Sequence, residues 1–237
     1  MQAEKETDRI EQSFNKKAHK AVIISGGSID REYVLSVFKE KKFEIIIAAD
    51  AGLDFLHNEN IEPTHIVGDF DSLPQGILDD YMGNPNVKVR IFNPIKDKTD
   101  TEIAVNLAIE LDASEIWIMG GTGGRIDHTI GNIQTMMIPL KKRIPCILAD
   151  DQNEIQLIDH SGVIAKSNVF GKYISFIPFG GSVKGLTITG VKYPLNNFTL
   201  LPEGSLGISN EIVDELAFIS FTEGILMVIQ SRDRSNT

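Results

Sequence analysis

The sequence predicts an α/β fold in which an N-terminal parallel-sheet α/β domain is followed by a smaller all-β sandwich domain. Up to about residue 150, short apolar runs bounded by turn residues alternate with helical patterns, which is typical of buried parallel strands joined by helices. Beyond that point the helical periodicity fades. Short strand-like runs separated by Gly and Pro replace it, and this texture indicates a sandwich or a barrel.

Six apolar runs are the predicted strands of the first domain, at 21–25, 44–49, 65–67, 87–92, 115–119 and 146–149. The clearest helix covers 100–111, where apolar residues recur every fourth position. Thr99 and Glu102 fit a capping box at its start. A second helix is expected over 127–137. We therefore expect helices on both faces of the sheet.

The second half of the chain supplies the strands of the predicted sandwich, at 172–176, 186–189, 216–221 and 225–229. The last two runs flank Thr222-Glu223-Gly224, and this arrangement predicts a β-hairpin. We divide the chain into a polar tail (1–20), an α/β domain (21–150) and a β-sandwich domain (151–237).

Composition limits the classes of function. The 237 residues are 42% hydrophobic and 24% charged, which is ordinary for a globular protein, and the formal net charge is −10. This acidic balance disfavours a nucleic-acid partner. Cys146 is the only cysteine, so no disulfide forms within the chain, and a reducing compartment fits. The sequence has neither an apolar run of membrane-helix length nor a secretory signal in 1–20, so a cytoplasmic protein is predicted.

Paired aspartates stand where predicted strands end. Asp69 and Asp71 follow the third strand two residues apart, so in extended chain their carboxylates point to the same side. Mg²⁺ between them would offset their repulsion. The alternative is a tight turn whose aspartates cap a following helix. Asp97 and Asp100 precede the clearest helix on the same edge of the sheet, and for Asp100 the alternative is a charged helix start favoured by the dipole.

A glycine-rich loop at 120–124 lies between a predicted strand and a predicted helix. It matches neither the Walker A pattern nor the dinucleotide fingerprint, although glycines at a helix start allow phosphate to approach the backbone. The alternative is a flexible turn. Arg125 favours phosphate, because a guanidinium grips phosphate oxygens in a bidentate manner. Asp127 and His128 orient Arg125 or cap the helix. Together with Asp50 and the glycines at 26–27, these groups suit metal-assisted phosphoryl chemistry.

At this point the sequence resembles the thiamine pyrophosphokinase family. Four ordered segments of the first half carry the resemblance, at 50–54 (DAGLD), 67–72 (VGDFDS), 96–102 (KDKTDTE) and 123–128 (GGRIDH). The second half agrees at 186–190 (LTITG), 192–195 (KYPL) and 207–211 (GISNE). The match runs in order from about residue 21 to residue 233.

The resemblance implies an Mg²⁺-dependent transfer of the diphosphoryl group of ATP to the hydroxyl of thiamine, giving thiamine diphosphate and AMP. It also implies a homodimer with the active site at the subunit interface. By position, the metal ligands are Asp69, Asp71 and Asp100, and the catalytic residues are Asp71, Asp100 and Arg125. The residues implied around ATP are Asp50, Asp97, Thr99, Arg125, Asp127, His128 and Asn132. Ser209 and Asn210 match the segment that contacts thiamine.

Two other functions stay open. One is a related diphosphokinase that acts on a different heterocyclic alcohol. The other is a non-catalytic protein that binds nucleotide or thiamine, with Mg²⁺ in a structural role.

Overall fold

The computed structural model describes residues 19–70, 73–74, 76–91 and 97–234. Within these ranges the strands are β1 (His19–Ile24), β2 (Ile45–Ala49), β3 (His65–Gly68), β4 (Lys88–Ile91), β5 (Ala113–Met119), β6 (Cys146–Ala149), β7 (Asn153–Ile158), β8 (Gly162–Ala165), β9 (Tyr173–Pro178), β10 (Val183–Thr189), β11 (Leu195–Leu200), β12 (Leu216–Ser220) and β13 (Leu226–Ser231). The α-helices are α1 (Arg31–Glu40), α2 (Gly52–Asn58), α3 (Asp100–Glu110), α4 (Ile126–Thr135) and α5 (Met137–Lys141). Short 3-10 turns cover Leu78–Asp80 and Lys166–Asn168.

The strands form two sheets. A nine-stranded sheet has the order β4-β3-β2-β1-β5-β6-β7-β13-β9, and its first six strands are parallel. β7, β13 and β9 extend the same sheet with antiparallel pairing. A separate four-stranded antiparallel sheet has the order β11-β10-β12-β8. The predicted fold class is confirmed.

Helices cover both faces of the parallel part, as predicted. On one face, α3 packs Ala104, Val105 and Ala108 against alternate residues of the central strands, among them Ile23 and Ile47. On the other face, α1 and α2 bury apolar side chains against the intervening strand residues. A strand covered on both faces has to be apolar throughout, which is why these strands read as continuous apolar runs rather than as alternating ones.

The second core lies between the two sheets. β9 and β13 contribute Phe176, Leu226 and Val228 from the nine-stranded sheet, and β10 and β12 contribute Leu186 and Ile219 from the four-stranded one. The sandwich therefore shares a sheet with the α/β part. The predicted boundary at residues 150/151 falls between β6 and β7, two neighbours in that sheet, and stays a prediction.

The predicted hairpin across Thr222-Glu223-Gly224 is wrong. β12 pairs with β8 and β10 in the four-stranded sheet, whereas β13 pairs with β7 and β9 in the nine-stranded sheet. The turn is a corner between sheets: Thr222 N donates to Lys184 O and Lys184 N donates to Glu223 O. Both strands bury alternate residues in the same core from opposite sides. Their local pattern is therefore the one that a hairpin would show.

Two boundaries also differ from those predicted. The helix predicted over 127–137 corresponds to α4, which ends at Thr135, and α5 follows as a separate helix. The chain already joins β1 at His19, inside the predicted polar tail. The remainder of that tail lies outside the described residues. In the described part of the chain, none of the helices is long and apolar enough to cross a membrane.

Candidate active site at the carboxyl edge of the parallel sheet

The strand order reverses direction between β1 and β5. After β1 the chain builds β2, β3 and β4 on one side, and β5 and β6 then lie on the other side of β1. In open parallel sheets, ligands bind at the carboxyl ends of the strands beside such a reversal. The loops that follow β1 and β5 meet there: Gly27 N donates to Gly120 O over 2.7 Å, and Ser28 N donates to Thr122 O over 3.0 Å. A Cβ on Gly27 would lie 2.4 Å from Gly120 O, so this close approach requires glycine.

A cleft of about 400 Å³ opens at this reversal. Two glycine loops and the starts of α3 and α4 form its wall. Six residues that the sequence selected line the cleft: Asp50, Thr99, Asp100, Arg125, His128 and Asn132. The lining also includes Ser25, Thr101, Thr122 and Thr129. Acidic, basic and hydroxyl groups thus converge on one concave surface, which is the usual form of a ligand site.

Asp100 is the first residue of α3. Thr99 caps the helix, because its hydroxyl accepts a hydrogen bond from Glu102 N over 3.2 Å, as the predicted capping box requires of Thr99. The hydroxyls of Ser25 and Thr101 lie 3.0 Å apart and are buried, so they connect the end of β1 to the first turn of α3. Asp100 therefore sits at a rigid helix start that also favours anions through its backbone N–H groups.

Asp50 and Asp69 stand at the ends of neighbouring strands. Asp50 follows β2 with φ +50°, and its N donates to Val67 O over 2.9 Å. Asp69 follows β3, while Phe70 has φ +63°. Left-handed backbone in residues other than glycine is costly and gathers at functional sites. Of the two aspartates, Asp50 lines the cleft and Asp69 does not.

Arg125, which lines the cleft, forms an exposed ion pair with Asp127, which does not line it. Arg125 Nη2 donates to Asp127 Oδ2 over 2.6 Å, and Nε donates to Oδ1 over 3.2 Å. Hydrogen bonding to Arg125 lowers the pKa of the Asp127 carboxyl. Asp127 Oδ1 also accepts from His128 N, so Asp127 both orients Arg125 and serves the first turn of α4. The Arg125 side chain is 75% exposed, which leaves it accessible to a ligand.

Asn132, a residue of α4, supports the backbone of the glycine loop. It is buried, and its Nδ2 donates to Gly121 O over 2.8 Å. This bond fixes the loop to α4. Asn132 therefore contributes to the cleft partly by holding the backbone of the glycine loop in place.

Three cleft threonines have no counterpart among the residues selected from the sequence: Thr101, Thr122 and Thr129. A signal was present for two of them, since Thr101 directly follows Asp100 and Thr122 stands inside the glycine loop. A threonine is common at such positions for purely local reasons, and so the residue type alone did not mark them.

Other selected residues lie elsewhere or outside the described ranges. Asp97 is exposed and does not line the cleft. Asp71, Ser72 and Lys96 are not among the described residues. The described part of the chain holds no group of three or more His, Cys, Asp and Glu side chains arranged for a metal ion. The predicted metal set of Asp69, Asp71 and Asp100 therefore stays a prediction.

Ser209 and Asn210 lie on the sandwich and, in the described structure, do not line the cleft. Ser209 has φ +56°, and its N donates to Ser175 Oγ over 3.0 Å. Asn210 is buried: its Oδ1 accepts from Tyr193 N and Glu211 N, and its Nδ2 donates to Tyr193 O. Asn210 thus fixes the backbone of Tyr193, a residue that is 60% exposed.

Comparison with known proteins matches both halves of the chain to the same family. The family model described as "Thiamin pyrophosphokinase, catalytic domain" matches residues 38–148, and the one described as "Thiamin pyrophosphokinase, vitamin B1 binding domain" matches residues 161–226. The thiamine pyrophosphokinase of Bacillus subtilis (strain 168) is 37% identical over 187 residues, which cover 79% of this chain and 87% of that protein. The chain belongs to the thiamine pyrophosphokinase family.

Solved structures of the family agree with the fold described above. The crystal structure of thiamine pyrophosphokinase from Bacillus subtilis matches with a TM-score of 0.80 and 35% identity, over 90% of this chain and 99% of that one. The thiamin pyrophosphokinase structure from Geobacillus thermodenitrificans matches with a TM-score of 0.78 and 31% identity, over 92% of this chain and 99% of that one. The sheet reversal that forms the cleft therefore lies within the region that the family shares.

Proposed function

We propose that the chain transfers the diphosphoryl group of ATP to the hydroxyl of thiamine in the cytoplasm, giving thiamine diphosphate and AMP. The observation that carries the proposal is the cleft at the sheet reversal, where Asp100, Arg125 and two glycine loops meet within a member of this family. These are the groups that phosphoryl transfer needs, because its catalysis depends on positioning and on stabilising charge.

The residues divide the work as follows. The N–H groups at the start of α3 and in the glycine loop donate hydrogen bonds to phosphate oxygens, and Arg125 stabilises negative charge on the transferring group. The thiamine hydroxyl oxygen attacks the β-phosphorus. As the new P–O bond forms, the bond from the β-phosphorus to the α–β bridging oxygen breaks, and AMP leaves with that electron pair. Asp100 or Asp71 takes the hydroxyl proton.

The chemistry of the donor set fits Mg²⁺. Asp50 and Asp100 line the cleft with carboxylates, and Asp69 stands at the next strand end. Mg²⁺ needs only one or two protein carboxylates when substrate phosphates and water complete its octahedron. We propose that Asp69, Asp71 and Asp100 hold the ion, with Asp50 and Asp97 beside them. When bound, Mg²⁺ neutralises phosphate charge. This would also resolve the conflict between a net charge of −10 and an anionic substrate.

We propose further that the protein acts as a homodimer with the active site at the subunit interface. Ser209 and Asn210, the residues expected to contact thiamine, lie outside the lining of the cleft in a single described chain, so a second copy would bring them to it. Exposed apolar side chains offer a surface for this association: Val163 and Phe218 are cross-strand neighbours on the outer face of the four-stranded sheet, and both are at least half exposed.

The assay that tests the function uses purified protein with ATP, Mg²⁺ and a panel of heterocyclic alcohols that includes thiamine, and it measures AMP. Release of AMP that depends on thiamine supports the proposal. Greater release with another alcohol would favour the related diphosphokinase. Thiamine or nucleotide binding without AMP release would favour the non-catalytic binder.

Replacing Arg125 with alanine should raise the KM for ATP by about tenfold or more, because a charge-assisted bond to phosphate is lost. The melting temperature should hardly change, since the ion pair with Asp127 is exposed and such pairs add little stability. Arg125→Lys should recover part of the loss. A large fall in melting temperature with an unchanged KM would show that the arginine is structural.

Replacing Phe218 with glutamate should shift the protein from dimer to monomer in sedimentation velocity, because a charge would be buried without a partner at the interface. Met82→Glu, which alters an exposed apolar side chain outside the two sheets, is the matched control and should stay dimeric. A monomeric wild type would contradict the proposed homodimer. If the Phe218→Glu variant stays dimeric, the interface between the two copies lies outside this face.

A further inference from the structure

The turn that follows β6 is built around one carboxylate. Asp150 Oδ1 accepts from Gln152 N and Asn153 N, both over 2.8 Å, and from Asn153 Nδ2 over 3.0 Å. Asp150 N also donates to Asn153 O. With one oxygen committed to three donors, the plane of the carboxylate is fixed relative to the turn. The direction in which the other oxygen points is therefore fixed as well.

The other oxygen reaches the glycine loop of the cleft. Thr122 Oγ1 donates to Asp150 Oδ2 over 2.7 Å, the short length typical of a hydroxyl bound to a carboxylate. Thr122 is 9% exposed, and its carbonyl accepts from Ser28 N in the loop after β1. Holding Thr122 therefore holds both loops of the cleft wall. Asp150 itself is not among the described residues that line the cleft, so it reaches the site only through Thr122.

The same turn is held from outside by the end of the chain's last strand. Arg232 N donates to Gln152 O over 3.0 Å, and Arg232 Nε donates to Asp151 O over 2.8 Å. The guanidinium also lies 4.5 Å from the centre of the Phe170 ring. Contacts thus run without a break from the sandwich through the turn to Thr122. Because the turn is also held by Arg232, it can fix the position of the glycine loop.

We propose that Asp150 is a positioning residue for the nucleotide site, holding Thr122 so that the Gly120–Arg125 loop keeps the shape that receives the phosphates. The inference rests on the proposed function, and it adds two residues that the family motifs quoted above do not contain. The carboxylate matters for a specific reason. In Asp150→Asn the turn still requires an acceptor at Oδ1, so the amide Nδ2 would face Thr122. The bond to Thr122 would then run in the reverse direction, lose the charge assistance of the carboxylate and leave the Thr122 hydroxyl proton without its acceptor.

A double-mutant cycle tests the proposal with Asp150→Asn, Thr122→Val and the double variant. Two quantities are measured in each protein: kcat/KM for AMP release with thiamine, and affinity for a non-hydrolysable ATP analogue with Mg²⁺ by calorimetry. Because Asp150 acts through Thr122, each single change should lower both quantities by about tenfold, and the double variant should be no more than about twofold worse than the weaker single variant. Thr122→Ser keeps the hydroxyl and should stay within about threefold of wild type.

Asp159→Asn is the matched control, since it removes the same charge from an exposed residue of the β7–β8 turn, and both quantities should be unchanged. Losses that multiply in the double variant, to about a hundredfold, would overturn the proposal, because Asp150 would then act independently of Thr122. Wild-type values in Asp150→Asn would also overturn it. If Asp150→Asn does not fold, the affinities of Thr122→Val and Thr122→Ser for the ATP analogue are compared instead. Equal affinities for these two variants would overturn the proposal.

The two readouts separate this inference from the proposed function. If wild type releases no AMP with thiamine, the proposed function fails. Affinity for the ATP analogue across the same variants still shows whether Asp150 positions the loop.

Discussion

Replacing Asp100 with asparagine should lower kcat/KM for AMP release by about 10²–10³-fold, the usual loss when one group that stabilises the transition state is removed. Asn has nearly the same shape, and the Thr99 cap and the Ser25–Thr101 contact that place residue 100 remain intact. The loss should therefore appear in turnover and not in folding. Removing an acid from a helix start costs about 0.3–1 kcal/mol of stability, a change that thermal melting can measure separately.

Glu110→Gln is the control for this variant. It removes the same charge from the other end of α3, where Glu110 is exposed and pairs only loosely with Arg90 at 3.5 Å. Turnover of this variant should equal that of wild type. If Asp100→Asn keeps activity within about threefold of wild type, Asp100 is a charged helix start without a part in the chemistry.

Replacing Gly52 with alanine should destabilise the protein by about 3 kcal/mol or more, which corresponds to a fall of roughly 6–12 °C in melting temperature for a chain of this size. A Cβ at residue 52 would lie 1.9 Å from Ile24 O. That oxygen belongs to a fully buried backbone at the end of β1, so neither side can move away without shifting α2 or the central strand.

Gly131→Ala gives the matched comparison. Gly131 is inside α4, and a Cβ there would have no atom within 4 Å, so alanine should raise stability by about 0.5–1 kcal/mol through its helix propensity. The two substitutions are chemically identical and should have opposite signs in thermal melting. Equal melting temperatures for both variants would contradict the packing of α2 against β1.

The parallel part of the fold could be predicted because its strands are buried on both faces and therefore appear as continuous apolar runs. Aspartates and glycines follow these runs and mark the strand ends. Asp100 and Arg125 were selected by their positions after predicted strands, and both line the cleft. Sequence analysis named neither α1 nor α2. α2 has seven residues and begins with glycine, and α1 shows its apolar face in only three buried residues. Helices this short depend on tertiary packing, which periodicity does not record.

The failures of prediction in the second half have a different cause. Whether β12 and β13 pair with each other depends on strands far away in the chain, because β13 finds its partners in β7 and β9. The role of Asp150 was hidden for the same reason. An aspartate in a turn is ordinary in sequence, and only the fold brings its second oxygen to Thr122.

In the proposed reaction, the β- and γ-phosphoryl groups are transferred together in one step. Phosphorus NMR of a reaction with ATP, Mg²⁺, thiamine and the purified protein tests it most directly. We expect thiamine diphosphate and AMP in equal amounts from the first turnovers, with neither ADP nor thiamine monophosphate formed. ADP and thiamine monophosphate as the first products would contradict it, since they would show transfer of a single phosphoryl group.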